Sequence, residues 1–293
     1  MKRLAQQEFG GDWTTVKLDR VRQYLQQYLI VMSKQSFQLQ YIDAFAGTGY
    51  RSLKRKEAGG GFLFPDLASD DTQKYLAGSA RIALEVKPHF SEYLFIEMDK
   101  NKVTELEKLK QAFPDISERI IIRNGEANAC IQDICRGRWA GKRAVMFLDP
   151  FGMQVTWDTI EAIAGTQAID LWYLFPLGIG VNRLLRRDGQ IDDSIRRRLD
   201  LIFGEPDWYD AFYKTGTELT LFGEEVMIDK IADFHSISDY LLGRLRKVFP
   251  GVASNPRALP NSRNNPIFLL CFACGNPKGT PIALKIAQHI LKR

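Results

Sequence analysis

Leu39-Gln40-Tyr41-Ile42-Asp43-Ala44-Phe45-Ala46-Gly47-Thr48-Gly49 decides how the chain folds. An apolar run of strand length empties into a glycine turn, the pattern of a buried parallel strand whose exit lets backbone approach a ligand closely. The same unit recurs outward. Residues 14–32 read as a helix capped by Thr14 or Thr15, with Val16, Val21, Leu25, Tyr28 and Leu29 at helical spacing. Strands are expected at 93–97, 119–123, 144–148 and 169–175, and a helix over 100–113 is stopped by Pro114. Toward the end, 236–249 reads as a helix, 267–273 as a late strand and 281–291 as a closing helix opened by proline. This alternation predicts an α/β fold with a mostly parallel central sheet flanked by helices.

Composition narrows the class. With 293 residues, 45% hydrophobic and 26% charged, the chain is long enough for a large core and excludes disorder, collagen-like repeats and disulfide scaffolds. Forty basic against 35 acidic residues give +5, a mild pointer to a polyanionic partner. No apolar run approaches the roughly 18 to 20 residues of a membrane helix, and Met1 to Glu8 lacks the apolar core of a secretory signal, so a cytoplasmic protein is expected. Four cysteines are too few for a disulfide framework and fit a reducing compartment. Cys271 and Cys274 have metal-like spacing, but i and i+3 on a strand point to opposite faces, so core thiols and no metal site are expected. His89, His235 and His289 are scattered and read as structural.

Each strand ends in polar or glycine residues, and in open parallel sheets ligands bind at that edge. Asp43, Glu97, Glu126 and Asp149 stand at or just beyond four successive strand ends. A nicotinamide oxidoreductase would use a similar sheet, yet the third glycine of its Gly-x-Gly-x-x-Gly turn is replaced here by Ser52.

Asp43-Ala44-Phe45-Ala46-Gly47-Thr48-Gly49 resembles the first motif of the class I S-adenosylmethionine-dependent methyltransferases. The resemblance implies a Rossmann-like fold with S-adenosylmethionine in the crevice. Asp43, Phe45, Gly47 and Gly49 would then surround the methionine moiety. Glu97 matches the acid that accepts from both ribose hydroxyls, and Met98 would pack on the adenine. Asp99 is expected to cap the next helix instead. Asn124-Gly125-Glu126-Ala127 resembles the third motif, which assigns Glu126 and Ala127 to the adenine amino group. Asp149-Pro150-Phe151-Gly152 is similar to the Asp-Pro-Pro-Tyr motif of methyltransferases that act on amino groups, with the aromatic one place early. It implies Asp149 as acceptor of the nucleophile's proton or hydrogen bond, Pro150 as part of the same catalytic motif, and Phe151 stacking on a base.

Over most of the chain the set of motifs is similar to the three-Cys-motif partner family, methyltransferase-like proteins named for a neighbouring gene product with a three-cysteine motif. The residues are the 15–17 helix start, 41–47, Gly78-Ser79-Ala80, 95–97, 147–152 and Asn182-Arg183. Membership implies a three-cysteine-motif partner protein and one methyltransferase-like domain over 1–293.

Two insertions depart from a minimal methyltransferase. Residues 50–77 hold Arg51, Lys54, Arg55, Lys56 and Gly59-Gly60-Gly61, expected as a lid or substrate loop. Residues 176–234 are expected as a helical and loop region. Within it, 181–199 carry six arginines and three aspartates, net +3, near Trp208, Tyr209 and Tyr213. Arginine beside aromatics binds phosphates and stacks bases, so a nucleic acid substrate is expected, with Asn182, Arg183, Arg186 and Arg187 orienting it. The competing reading places these arginines on a wet helix face paired with local acids. A methyltransferase fold retained only as a partner's subunit is the rival to an enzyme.

Overall fold

The computed structural model describes residues 13–46, 71–220 and 223–292. Gly47, Gly49 and residues 50–70 of the first insertion lie outside the described residues. Five parallel strands form the centre: β1 (Gln38–Asp43), β2 (Glu92–Glu97), β3 (Ile120–Asn124), β4 (Lys142–Leu148) and β5 (Ile169–Phe175). Late strands β8 (Gly251–Val252), β9 (Arg257–Pro260) and β10 (Pro266–Cys274) complete an eight-stranded sheet. Its order is β3-β2-β1-β4-β5-β10-β8, with β9 also paired to β10, and β10 runs antiparallel to β5. β10, next to last on this path, is antiparallel to both of its path neighbours, β5 and β8. The chain reverses its direction of travel across the sheet between β1 and β4, the switch point at whose carboxyl edge open parallel sheets bind their ligands.

Both faces are covered, so the strands read as near-continuous apolar runs. Tyr41, Tyr93, Phe95, Phe147, Trp172 and Leu174 face α1 (Trp13–Met32), α2 (Asp71–Glu85), α3 (Lys100–Gln111) and α9 (Thr280–Lys292). Ile42, Ile96, Met146, Leu171 and Phe175 face α4 (Ala127–Cys135), α5 (Trp157–Gly165) and α8 (Phe234–Val248). Gly78 lets α2 close onto α1, because a Cβ there would stand 3.0 Å from Leu18.

The second insertion differs from expectation. It holds α6 (Asp193–Phe203) and α7 (Trp208–Phe212), but also a hairpin of β6 (Tyr213–Thr220) and β7 (Gly223–Lys230). Its two strands pair only with each other, with Leu219 80% and Val226 67% exposed. Most of its described side chains beyond Tyr213 and Ile228 are exposed, so it lacks a long apolar alternation, which hides it from periodicity. The first insertion is also shorter than expected, since helix α2 already begins at Asp71. Helix α1 includes Trp13, which moves Thr14 and Thr15 from the cap into the first turn. No described helix is long and apolar enough to cross a membrane.

The base of the sheet is fastened by one buried polar contact. Tyr24 of α1 packs its ring against Trp172 and Phe272, at 5.4 and 4.8 Å between centroids, and its hydroxyl donates to Asp170 Oδ2 at 2.7 Å. Burial pushes the Asp170 carboxyl upward, and the Tyr24 hydroxyl opposes that shift. Tyr24→Phe should therefore destabilise the protein by about 1–3 kcal/mol, the cost of an unsatisfied buried acceptor. The donor stabilises the ionised acid, so the loss should be larger in denaturant melts at pH 8 than at pH 5. An equal loss at both would show that Asp170 keeps one protonation state from pH 5 to pH 8.

Candidate active site

Asp43 ends β1 and is fully buried. Its Oδ1 accepts from the Phe45 amide at 3.3 Å and its carboxylate also takes a hydrogen bond from Ser79 of α2, while Oδ2 has no partner among the described residues. Across the crevice, Asp149 follows β4 directly. Its Oδ2 accepts from the Lys17 ammonium at 2.5 Å, with only 4% of the lysine and 10% of the aspartate side chain exposed. Lys17 comes from α1 and lies 5.0 Å from the Trp13 ring centroid. Burial first, and the charge of Asp149 second, push Asp43 up to about 7, while Ser79, the Phe45 amide and Lys17 oppose that shift. The Tyr41 hydroxyl, electrostatically coupled to both aspartates, is another buried polar atom without a hydrogen bond.

One strand over, Glu97 ends β2 and is 2% exposed. Its Oε1 accepts from the Asp99 amide at 2.7 Å, and Oε2 is buried without a partner. Burial raises its carboxyl, with the Asp99 amide and Lys102 opposing. Asn124 holds the exit of β2 by donating to the carbonyls of Glu97 and Met98 at 2.8 and 3.0 Å, and Met98 stands 54% exposed beside it. Asp99 caps α3 through the Asn101 amide at 2.8 Å, as expected.

The structure turns Glu126 to a different task from the one its motif suggests. Its two oxygens accept from the Asn128 and Ala129 amides, at 2.9 and 2.8 Å, and so cap α4. Ala127 is buried in the first turn of that helix. Any adenine contact from Glu126 would have to use its remaining lone pairs.

In the Asp-Pro-Phe-Gly segment, Pro150 is buried and Phe151 packs half-buried at the edge of the α1-side core, its amide donating to Gln154 Oε1 at 3.1 Å. Gly152 has φ +72°, a left-handed conformation that explains glycine where the related motif ends in an aromatic. Beyond β5 the chain makes a π-helical turn over Leu177–Asn182. Asn182 Oδ1 accepts from Lys230 at 2.7 Å. Arg183, Arg186 and Arg187 are exposed, with Arg186 paired to Asp188 at 2.9 Å. The neighbouring aromatics pack the insertion itself. Trp208 is buried and donates to Asp200, Tyr209 and Tyr213 stack at 4.7 Å, and Arg196 covers Tyr209.

All four cysteines are free, Cys271 and Cys274 are buried, and no metal-holding cluster of acids, histidines and thiols exists among the described residues. Reading by motif overlooked Lys17 as a site residue. The signal was its place on the apolar stripe Lys17, Val21, Tyr24, Tyr28, where a lysine requires a buried acid opposite.

No family model and no curated protein matches the chain. Among solved structures it is similar to protein LPL1258 of Legionella pneumophila, at 10% identity over 97% of this chain and 92% of that one, with TM-score 0.47. It is similar also to the candidate methyltransferase yhhF of Escherichia coli, at 11% identity over 72% and 86%, TM-score 0.31. A third is the 23S rRNA methyltransferase ErmE, at 10% identity over 93% and 98%, TM-score 0.25. Overlaps this loose are likenesses of layer order and carry no residue correspondence.

A raised Asp43 makes a testable demand. The folded state holds a proton that the unfolded chain has released, so this group's contribution to stability is lost as pH rises from the ordinary carboxylate range through about 7. Asp43→Asn should raise the thermal midpoint by about 3 °C or more at pH 8 and flatten its fall between pH 5 and pH 8. A variant with the wild-type slope would mean that Asp43 ionises normally.

Proposed function

We propose that the chain is an S-adenosylmethionine-dependent methyltransferase whose acceptor is a nucleic acid. The observation that carries the reading is that Asp43 Oδ2 and Glu97 Oε2, buried at adjacent strand ends, both lack a hydrogen bond among the described residues. Buried acceptors are rarely left unpaired, and here they face the place where this fold binds a ligand. A ligand with an ammonium group and a pair of hydroxyls fits these acceptors, which is the chemistry of S-adenosylmethionine. The cofactor supplies a methyl group on a sulfonium centre that leaves as a neutral thioether.

The chain's own residues then divide the work. Glu97, fixed by the Asp99 amide, offers its second oxygen to the ribose side, and Asp43 offers its second oxygen to a cation. A cation beside Asp43 favours its ionised form, so binding should release a proton near neutral pH. Asp149 accepts a hydrogen bond or proton from the attacking atom while Lys17 holds its other oxygen, which fixes the carboxylate's direction. Phe151 borders the acceptor side, and Asn182, held by Lys230, with Arg183, Arg186 and Arg187 lies at the mouth beyond β5.

A second function is favoured by the β6–β7 hairpin. Its strands carry Lys214 and Lys230 against Glu218, Glu224, Glu225 and Asp229, and it exposes Leu219, Val226 and Met227. An acidic ribbon with apolar side chains suits a protein partner better than a nucleic acid, in keeping with a three-cysteine-motif partner.

Calorimetric titration of S-adenosylmethionine should show micromolar binding to wild type and loss of binding in Glu97→Ala. Asp149→Asn should keep cofactor affinity within a few-fold while labelled-methyl transfer falls by about a hundredfold or more. Equal loss of binding and transfer in Asp149→Asn would refute the division of roles. A folded wild type that binds no cofactor would favour the docking subunit.

A further inference from the structure

The positive charge of the chain is not where its arginine-rich helix suggests. The whole 176–234 insertion has eight basic and twelve acidic residues, net −4. From Tyr240 to Arg293 there is no aspartate or glutamate at all, against nine lysines and arginines. That stretch alone exceeds the +5 of the full chain, so residues 1–239 sum to −4.

Two of the nine, Arg244 and Lys247, share the single carboxylate of Glu205. Arg257 and Arg263 have no carboxylate partner among the described residues. Arg257 lies on β9 and reaches only the Leu291 carbonyl, at 3.4 Å. Arg263 is exposed on the turn Asn261-Ser262-Arg263-Asn264-Asn265, which its own bonds lock. Asn261 Oδ1 accepts from the amides of Arg263 and Asn265, both at 3.0 Å, and the Asn261 amide donates to the Asn265 carbonyl.

Register places this turn at the active edge. Leu269 of β10 pairs with Phe175, the last residue of β5, so Pro266 and the turn before it extend past the carboxyl ends of the parallel strands. Between β9 and the first turn of α1 lies a groove of about 260 Å³ lined by Trp13, Val16, Arg257, Leu259, Pro260 and Asn261. Trp13 leans on Phe268 at 5.0 Å, and its ring is 5.0 Å from the ammonium of Lys17, which holds Asp149. One wall of the groove, Trp13, is thus linked through Lys17 to the carboxylate proposed to meet the acceptor atom.

We infer that this groove and turn are the track along which a single-stranded nucleic acid reaches the site, with phosphates on Arg257 and Arg263 and a base against Trp13. The inference rests on the methyltransferase reading for what happens at the end of the track, but binding itself does not. Unpaired arginines beside an aromatic ring and a row of side-chain amides match the needs of a phosphate backbone with unstacked bases. An acidic protein segment would use the arginines but leave the Trp13 ring unused, whereas a single strand engages both, the phosphates on the cations and an unstacked base on the ring.

The test is fluorescence anisotropy with a fluorescein-labelled single-stranded oligonucleotide, as RNA and as DNA, over a salt series. Arg257→Ala/Arg263→Ala should weaken binding about tenfold and reduce the slope of log affinity against log salt by roughly 0.7 per arginine. Trp13→Ala should cost about tenfold or more, and Arg263→Glu, on an exposed turn, gives the same readout without disturbing the core. Arg186→Ala/Arg187→Ala reports on the mouth beyond β5, and Arg81→Ala/Arg136→Ala, which breaks exposed ion pairs with Glu85 and Asp133, should change affinity by less than about twofold. Loss in the Arg186/Arg187 variant with none in the Arg257/Arg263 variant overturns the inference, and so does a folded wild type that binds neither oligonucleotide. Cofactor calorimetry on the same proteins separates the two readings. Oligonucleotide binding that follows the track without cofactor binding supports this inference and removes the methyltransferase. Cofactor binding without oligonucleotide binding does the reverse.

Discussion

Burying an ammonium costs several kcal/mol unless a carboxylate stands opposite it, and the contact between Lys17 and Asp149 meets that condition across 132 residues of sequence. Breaking such a pair from one side typically costs about 3–5 kcal/mol, more than replacing both partners with apolar groups. The pair therefore sets where α1 can lie. Once Lys17 is opposite the end of β4, the helix stripe of Val21, Tyr24 and Tyr28 falls on the strand face that carries Trp172, and the Tyr24 hydroxyl arrives at Asp170. One ion pair at the carboxyl edge and one hydrogen bond at the amino edge fix α1 at both ends of the sheet. An apolar stripe alone would permit sliding by a turn.

The same pair explains why the crevice is chemically uneven. Lys17 satisfies Asp149 on one side, so the field it exerts on Asp43 is shared, and Asp43 remains a buried acid with a lone oxygen and a raised affinity for its proton. Glu97 repeats the pattern one strand away, with one oxygen used by its own turn and one left over. A protein stabilised for its fold alone would satisfy these atoms, as Glu126 is satisfied at the start of α4. Two acids engaged on one oxygen only, beside a third engaged on both, separate a ligand surface from a structural cap. Motif position treats all three alike.

Much of the sheet was legible because a strand buried on both faces writes its length directly into an apolar run. Residues 169–175 are strand to the residue, and the late strand and closing helix shift by only one residue at their ends. The hairpin was not legible, since β6 and β7 bury little and alternate between lysine, threonine and glutamate. The site was half legible. Glycine turns and strand-end acids announce the edge, but hydrogen bonds decide which acid is occupied. Lys17 was visible only as a cation on an apolar stripe, an anomaly that periodicity counts as a mismatch and physics counts as evidence of a buried partner.

Charge shows the same dependence on what is counted. A window over 181–199 is basic, yet its arginines sit among acids of the same insertion, as Arg186 does with Asp188. Coulomb attraction acts over about 8 Å at physiological salt, so a cation with a carboxylate at contact distance presents little field to a distant polyanion. The relevant quantity is the number of cations that lack an acid within that radius. By net charge the insertion is negative, while the stretch from Tyr240 to Arg293 holds nine cations and no acid of its own, with Arg244 and Lys247 paired to Glu205 of the insertion. Its β9–β10 turn reaches past the end of β5, so the positive stretch touches the carboxyl edge of the sheet on the side of α1. The opposite mouth carries the acidic hairpin. A sheet edge with one positive and one negative flank can hold a polyanionic strand on the first and a protein on the second. The two expectations drawn from the chain, a nucleic acid and a partner protein, then do not compete for the same surface.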